Sequence, residues 1–161
     1  MLAPRVYWVK APAVGRIGVA TRPREAAHFA LLKSAGVDVL VSMLEAEEAA
    51  AVGLEHAAAY AAGHGIEFFN LPILDHGIPE AVAPVEALVA TLRQRLAEGK
   101  GVAAHCFAGL GRSPLMVASV LIRSGMTTAE ACELISASRG HDVPEMSTQV
   151  DWLLDFEIDQ G

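Results

Sequence analysis

The stretch "GVAAHCFAGLGRSP", residues 101–114, joins a short apolar run to a glycine-rich loop and then to a helix start. Small apolar residues without charges are typical of a strand that is buried on both faces. Gly109 and Gly111 allow backbone conformations that other residues avoid. Ser113 followed by Pro114 predicts an N-cap and the first residue of a helix. The stretch is therefore predicted to form a strand, a tight loop and a helix.

The same alternation of strands and helices runs through the rest of the chain. The predicted strands cover residues 5–9, 15–20, 37–44, 66–73 and 101–106. The predicted helices cover residues 22–36, 45–62, 80–98, 114–124, 127–138 and 148–159. Apolar strands that alternate with helices predict a mostly parallel sheet covered on both faces. We expect one three-layer α/β domain over residues 1–161, with a sheet of about four to five strands flanked by helices.

Composition excludes several classes of protein. The chain has 161 residues, of which 53% are hydrophobic, and a formal net charge of −7. Proteins that bind nucleic acid usually present a basic surface, which this acidic composition does not favour. The sequence also lacks the long uncharged apolar run that would predict a membrane span or a signal peptide. We expect a cytoplasmic monomer without nucleic acid or membrane partners. Its two cysteines, Cys106 and Cys132, are expected to be free thiols.

The glycine-rich loop predicts an anion site. Ligands of α/β sheets bind at the carboxyl ends of the strands, and successive N–H groups between Phe107 and Arg112 can turn inward to surround an anion. The planar guanidinium of Arg112 can bind two phosphate oxygens. Cys106 lies at the base of this loop, where inward N–H groups and a helix N-terminus favour the thiolate. We therefore predict that Cys106 is a nucleophile.

A thiolate that displaces an alkoxide or phenoxide from phosphorus needs a proton donor for the leaving group. Asp75 is the best candidate, because it lies in the segment "LPILDHGIP", residues 71–79, whose glycine and proline predict a loop. Without further context Asp75 could instead cap the helix that follows Pro79. We call residues 71–79 the acid loop and residues 106–112 the phosphate loop.

The spacing His-Cys-x5-Arg-Ser, from His105 to Ser113, resembles the phosphate loop of the cysteine-dependent protein tyrosine phosphatase superfamily. The acid loop is similar to that of the small dual-specificity-like phosphatases, except that Leu74 stands where many relatives have proline. The segments "GRIGVATRPRE", "AGVDVLVSMLEAEE" and "VPEMSTQVDWLLDFE" extend the resemblance over the whole chain. It implies a phosphatase-like fold and a compact prokaryotic member of the superfamily.

The resemblance also implies roles for individual residues. Gln149 would orient the water that attacks a phosphocysteine, Glu45 would hold the catalytic arginine by an ion pair, and His105 would pack behind the loop. By their residue types alone, Glu45 is an ordinary acid at a helix start and Gln149 a solvated helix residue. The Ser113 hydroxyl would stabilise the returning thiolate. The residues expected to bind the substrate phosphate are Phe107, Ala108, Gly109, Leu110, Gly111 and Arg112.

These residues predict a phosphomonoester hydrolase that acts through a phosphocysteine intermediate. A phosphorylated protein or peptide is the expected substrate, because the loop interior "FAGLG" lacks the lysine found in phosphoinositide-directed relatives. Phosphotyrosine is favoured, and phosphoserine and phosphothreonine are left open. No cofactor is expected, and no histidine spacing indicates a metal site. Two alternatives are a rhodanese-like sulfurtransferase and a non-catalytic phosphate-binding module.

Overall fold

The structure is a computed structural model that describes residues 2–159, and it contains the predicted strands in the predicted order. The strands are β1 (Val6–Trp8), β2 (Ile17–Ala20), β3 (Val39–Ser42), β4 (Glu67–Asn70) and β5 (Val102–His105). The helices are α1 (His28–Ser34), α2 (Ala46–Ala51), α3 (Ala57–Gly63), α4 (Val82–Ala97), α5 (Arg112–Arg123), α6 (Thr128–Arg139) and α7 (Ser147–Ile158).

The five strands form one sheet in the order β1-β2-β5-β3-β4. The pairs β2–β5, β5–β3 and β3–β4 are parallel, and the short edge strand β1 is antiparallel to β2. Strand β5 lies in the middle, with all four residues buried. Its small side chains fit a position that is covered on both faces.

Helices cover both faces of the sheet. Phe29 and Leu32 of α1 and Ala61 of α3 pack with Leu40 and Ala103 on one face. Helices α4 to α7 cover the other face, where their apolar side chains pack on alternate residues of β2, β3 and β5. The predicted three-layer α/β domain with a mostly parallel sheet is confirmed. Among residues 2–159, no helix combines the length and the apolar character needed to cross a membrane.

Two helix predictions were wrong in extent. The helix predicted over residues 45–62 is two helices, because Gly53 adopts a left-handed conformation at φ 77° and the chain then turns the Leu54 side chain into the core. The helix predicted over residues 22–36 is regular only from His28 to Ser34. The preceding residues are irregular up to a turn at residues 26–27, and the His28 Nδ1 atom accepts a hydrogen bond from the Arg24 amide at 3.0 Å.

The start of α5 also differs from the prediction. The helix begins at Arg112 with Gly111 as its N-cap, so Ser113 is not the N-cap and Pro114 is not the first helical residue. Proline is still tolerated there, because the N–H groups of the first turn have no partner within the helix. The earlier start carries the Arg112 and Ser113 side chains into the buried end of the helix.

Candidate active site

The phosphate loop connects the end of β5 to the start of α5. Gly109 has φ 75°, a left-handed conformation that other residues rarely adopt. A Cβ atom on Gly111 would lie 3.0 Å from the side-chain amide of Gln149, so a larger residue there would require the Gln149 side chain to shift. Within residues 2–159, none of the amides from Phe107 to Gly111 donates a hydrogen bond to a protein acceptor. The loop therefore offers a run of free donors.

Cys106 lies at the base of this loop and its side chain is buried. Its Sγ atom is 3.1 Å from the Oγ atom of Ser113, which is also buried. The hydroxyl was expected near the thiolate, and it lies within hydrogen-bond distance of the sulfur. An O–H group in this position can donate to a thiolate and stabilise its charge.

Arg112 is held by the carboxylate of Glu48, a residue that is not among the predicted site residues. Its two terminal nitrogens donate to Oε1 and Oε2 of Glu48 at 2.7 and 2.8 Å. Burial opposes the charge of Arg112, but its hydrogen bonds to Glu48 and the attraction of Cys106 and Glu48 outweigh burial and raise the pKa of Arg112. The hydrogen bond from Arg112 lowers the pKa of Glu48, although burial opposes this shift. The pair is therefore charged.

The prediction that Glu45 holds Arg112 was wrong. Glu45 is the N-cap of α2, with an extended backbone and an exposed side chain. Side chains in a helix lean toward its N-terminus. The side chain of Glu48, at the third helical position, therefore extends back toward Glu45 and Arg112. Its Oε1 atom lies 3.4 Å from the Glu45 amide nitrogen and also accepts from Arg112. A glutamate three residues after an N-cap is the signal that could have indicated this residue.

Asp75 reaches the same arginine from the acid loop. Its Oδ1 atom accepts a hydrogen bond from Arg112 at 3.1 Å, while its side chain remains 53% exposed. It does not cap the following helix, whose N-cap is Ala81. The neighbouring His76 has φ 62° and lies 3.5 Å from Glu145 in the loop before α7. The structure thus brings the carboxyl group of Asp75 and the phosphate loop to one cleft.

Gln149 is buried at the start of α7 instead of being solvated. Its Nε2 atom donates to the Gly77 carbonyl at 3.0 Å, and its Oε1 atom accepts from the Met146 amide at 3.3 Å. These bonds place the side chain between the acid loop and Gly111 of the phosphate loop. The residue therefore contacts both halves of the site.

His105 lies behind the phosphate loop at the end of β5. It is fully buried, and its Nδ1 atom is 3.1 Å from the Cys106 carbonyl oxygen, which can only accept. Burial lowers the pKa of His105 to about 4, although the bond to that carbonyl opposes the shift. The ring is therefore neutral at pH 7, with the proton on Nδ1. Its Nε2 atom is buried and has no hydrogen-bond partner among residues 2–159.

A cleft of about 280 Å³ contains these groups. It is lined by Asp75, His76, Cys106, Phe107, Ala108, Leu110, Gly111, Arg112, Glu145 and Gln149. Phe107 stands at its mouth with 42% of the residue exposed. No cluster of three or more histidine, cysteine, aspartate or glutamate side chains suited to a metal occurs in the part of the chain that the structure describes.

The topology and this cleft define a member of the cysteine-dependent protein tyrosine phosphatase superfamily. Residues 17–126 match the Tc-R-P family, described as "Polymorphic toxin system, DSP-PTPase phosphatase", and the chain belongs to that family. The predicted superfamily is thereby confirmed, while a prokaryotic origin stays a prediction. The match covers the cysteine, the arginine and the acid loop and ends before α6.

Curated relatives match the chain over part of its length. Protein tyrosine phosphatase type IVA 3 of Homo sapiens is 39% identical over 77 residues, which are 47% of this chain and 44% of that protein. The chain thus covers less than half of that relative. The probable protein tyrosine phosphatase type IVA B of Dictyostelium discoideum is 32% identical over 97 residues, which are 58% of each protein.

Solved structures match nearly the whole chain. Kinase associated phosphatase, with its catalytic cysteine replaced by serine, superposes with a TM-score of 0.89, covers 98% of this chain and 96% of its own, and is 20% identical. At that identity the likeness shows the fold. PTPMT1 in complex with PI(5)P has a TM-score of 0.76 at 25% identity and covers 89% of this chain and 90% of its own.

Proposed function

We propose that the protein hydrolyses phosphomonoesters through a covalent phosphocysteine intermediate. The observation that carries this proposal is the position of Cys106, at the base of a loop whose free amides surround an anion site and 3.1 Å from the Ser113 hydroxyl. Membership of a phosphatase family supports phosphate chemistry over the transfer of sulfur.

In the first step the Cys106 thiolate attacks phosphorus and the ester oxygen departs. The inward amides of the phosphate loop and the Arg112 guanidinium hold the three equatorial oxygens, and they stabilise the charge that develops on them. Asp75 gives its proton to the departing oxygen. The 3.1 Å contact between Asp75 and Arg112 supports this role, because it holds the carboxyl group beside the group that binds the phosphate.

In the second step water attacks the phosphocysteine and releases inorganic phosphate. Asp75, now ionised, accepts the proton of the water, and the thiolate leaves. Gln149 lies between Gly77 and Gly111, where its side-chain amide can position this water. The Ser113 hydroxyl donates to the returning thiolate and makes it a better leaving group.

The proposed substrate is a phosphorylated protein or peptide, with phosphotyrosine favoured and with phosphoserine and phosphothreonine left open. The loop carries no lysine for additional phosphates, and the Phe107 ring at the mouth of the cleft can contact an aromatic residue. Because the similar structure of PTPMT1 was solved in complex with PI(5)P, a phosphoinositide has to be tested beside the phosphopeptides. Cytoplasmic location, a monomeric state and the lack of nucleic acid or membrane partners also stay proposals.

The test is a panel of phosphotyrosine, phosphoserine and phosphothreonine peptides and a phosphoinositide, assayed with a chelator and without added metal. Phosphate release should be fastest from phosphotyrosine, and rapid acid quenching during turnover should trap phosphate on Cys106. Faster release from the phosphoinositide would overturn the substrate proposal. Sulfur transfer from thiosulfate without phosphate release would indicate a sulfurtransferase, and binding without a trapped intermediate would indicate a phosphate-binding module.

A further inference from the structure

The geometry points to Arg139 as a positioning residue, assisted by Arg22, that fixes the inward direction of the phosphate-loop amides from outside the cleft. The inference rests on the proposed function, because it concerns how that site binds its phosphate. Neither arginine lines the cleft. Both act on the opposite face of the loop, through its carbonyl oxygens.

Arg139 lies at the end of α6 and bridges two consecutive peptide groups. Its Nε atom donates to the Gly109 carbonyl at 3.1 Å, and its terminal Nη2 atom donates to the Ala108 carbonyl, also at 3.1 Å. A guanidinium presents such donors in one fixed plane. One side chain therefore sets the orientation of two neighbouring carbonyl groups.

Arg22, in the connection between β2 and α1, holds the preceding carbonyl group. Its Nη1 atom donates to the Phe107 carbonyl at 3.3 Å, and its guanidinium lies 4.0 Å from the centre of the Phe107 ring. The next carbonyl group, of Leu110, accepts from the Glu145 amide at 2.8 Å. Every carbonyl oxygen from Phe107 to Leu110 thus accepts a hydrogen bond from another part of the chain.

These outward bonds determine where the amides point. In a planar trans peptide the C=O of one residue and the N–H of the next point in opposite directions. The Arg139 bonds to Ala108 and Gly109 therefore turn the amides of Gly109 and Leu110 away from Arg139 and into the cleft. The Arg22 bond to Phe107 does the same for the amide of Ala108. Three of the free donors described above are set by two arginines.

The Arg139 guanidinium is itself supported by β1. Its Cζ atom lies 4.4 Å from the centre of the Tyr7 ring. This cation–π contact coexists with the Nε and Nη2 hydrogen bonds to the loop. Tyr7 and α6 together hold the arginine in place, which limits the rotation of the two peptide groups.

The experiment compares Arg139→Met and Arg139→Lys with the unaltered protein in tungstate binding and in kinetics. Arg139→Met should bind tungstate about 10-fold more weakly and lose about 100-fold in kcat/KM for an aryl phosphate, with much of that loss in kcat, because misdirected amides stabilise the transition state poorly. Arg139→Lys keeps the charge but has no rigid fork, and it should recover only part of the tungstate affinity. Circular dichroism should show an unchanged fold.

The control is Arg93→Met, which removes an exposed arginine from α4 and should leave tungstate binding unchanged. Arg22→Met provides a second test if Arg139→Met folds poorly, and it should weaken tungstate about 3-fold, because Arg22 holds one carbonyl instead of two. Tungstate affinity in Arg139→Met equal to that of the unaltered protein would overturn the inference. Full recovery in Arg139→Lys would also overturn it, since charge alone would then suffice.

Tungstate binding separates this inference from the proposed function. If the unaltered protein binds tungstate but hydrolyses no phosphomonoester, the proposed function fails. The comparison of tungstate affinities among the arginine variants would still confirm or overturn the role of Arg139. If hydrolysis is observed and the variants bind tungstate normally, the proposed function stands and the positioning role fails.

Discussion

Glu48 and Arg112 face each other through two parallel hydrogen bonds, although 64 residues separate them in the chain. The Arg112 side chain is only 1% exposed and that of Glu48 is 20% exposed. A buried charge that loses its partner is strongly destabilising. The pair therefore serves both the stability of the domain and the orientation of the guanidinium toward the cleft.

Replacing Glu48 with glutamine should lower both the stability of the domain and the activity that depends on the orientation of Arg112. We expect Glu48→Gln to lose about 2–3 kcal/mol in the free energy of unfolding, because the amide keeps one acceptor oxygen but loses the second acceptor and the charge. The value of kcat/KM should fall by at least about 10-fold, as the arginine loses its fixed orientation. Urea unfolding and steady-state kinetics measure these effects. Glu45→Gln is the matched control, and similar losses in both variants would contradict the assignment to Glu48.

Replacing Cys106 with serine should abolish turnover and preserve oxyanion binding. Serine has no stable anion at neutral pH, while the amides and Arg112 remain in place. Initial-rate assays should detect no phosphate release, and titration calorimetry should show that the variant still binds tungstate. Appreciable hydrolysis by Cys106→Ser would require another nucleophile.

Replacing Asp75 with alanine should reduce turnover in a way that depends on the leaving group. Loss of a general acid costs about 10²–10⁴-fold, and a phenol of low pKa departs with little help. Asp75→Ala should therefore impair phosphotyrosine hydrolysis more than hydrolysis of an activated aryl phosphate. Rates for both substrates across the pH range are the measurement. Equal losses with an unchanged pH profile would indicate a structural role for Asp75.

His105 should make the domain less stable as the pH falls from 6.5 to about 4. In that interval the unfolded chain protonates this histidine and the folded chain does not, so the unfolded state binds more protons and protonation favours unfolding. The loss should approach about 3 kcal/mol at the acid end. Urea unfolding of the unaltered protein and of His105→Asn at several pH values measures it, since the variant should lack this part of the pH dependence.

The exposed His64 provides the control for this measurement. His64→Asn should retain the pH dependence of the unaltered protein, because the substitution lies on the surface and leaves His105 and its surroundings unchanged. An unchanged slope in His105→Asn would show that other groups cause the acid sensitivity.

The phosphate loop could be predicted because its requirements are local. A strand, two glycines, an arginine and a serine follow one another within residues 101–114, and each restricts the backbone or supplies chemistry in that order. The mostly parallel sheet could be predicted in the same way, since buried apolar strands that alternate with helices are typical of it, whereas the order of its strands was not predicted. These parts of the fold and the site need no information about distant contacts.

The partners of the loop could not be predicted, because they come from distant parts of the chain. Glu45 and Glu48 both stand at the start of α2, and only the packing of that helix decides which one meets Arg112. Arg22 is 85 residues from Phe107, and Arg139 is 30 residues from Gly109. Arg139 lies in none of the quoted segments, and Arg22 lies in the segment "GRIGVATRPRE", which by itself indicates no contact with Phe107. The break at Gly53 was missed because an isolated glycine does not by itself end a helix.

The C-terminal part of the chain contributes contacts to both loops of the candidate site. The family match ends at residue 126, yet Arg139, Glu145 and Gln149 lie beyond it and contact the phosphate loop or the acid loop. A truncated chain that ends at Met126 would retain the cysteine, the arginine and the aspartate. It would also expose the face of α5 that packs on Ile135, Leu153 and Phe156. Such a fragment would contain the sequence motif but would lack the residues that contact the phosphate loop and the acid loop from α6, α7 and the segment between them.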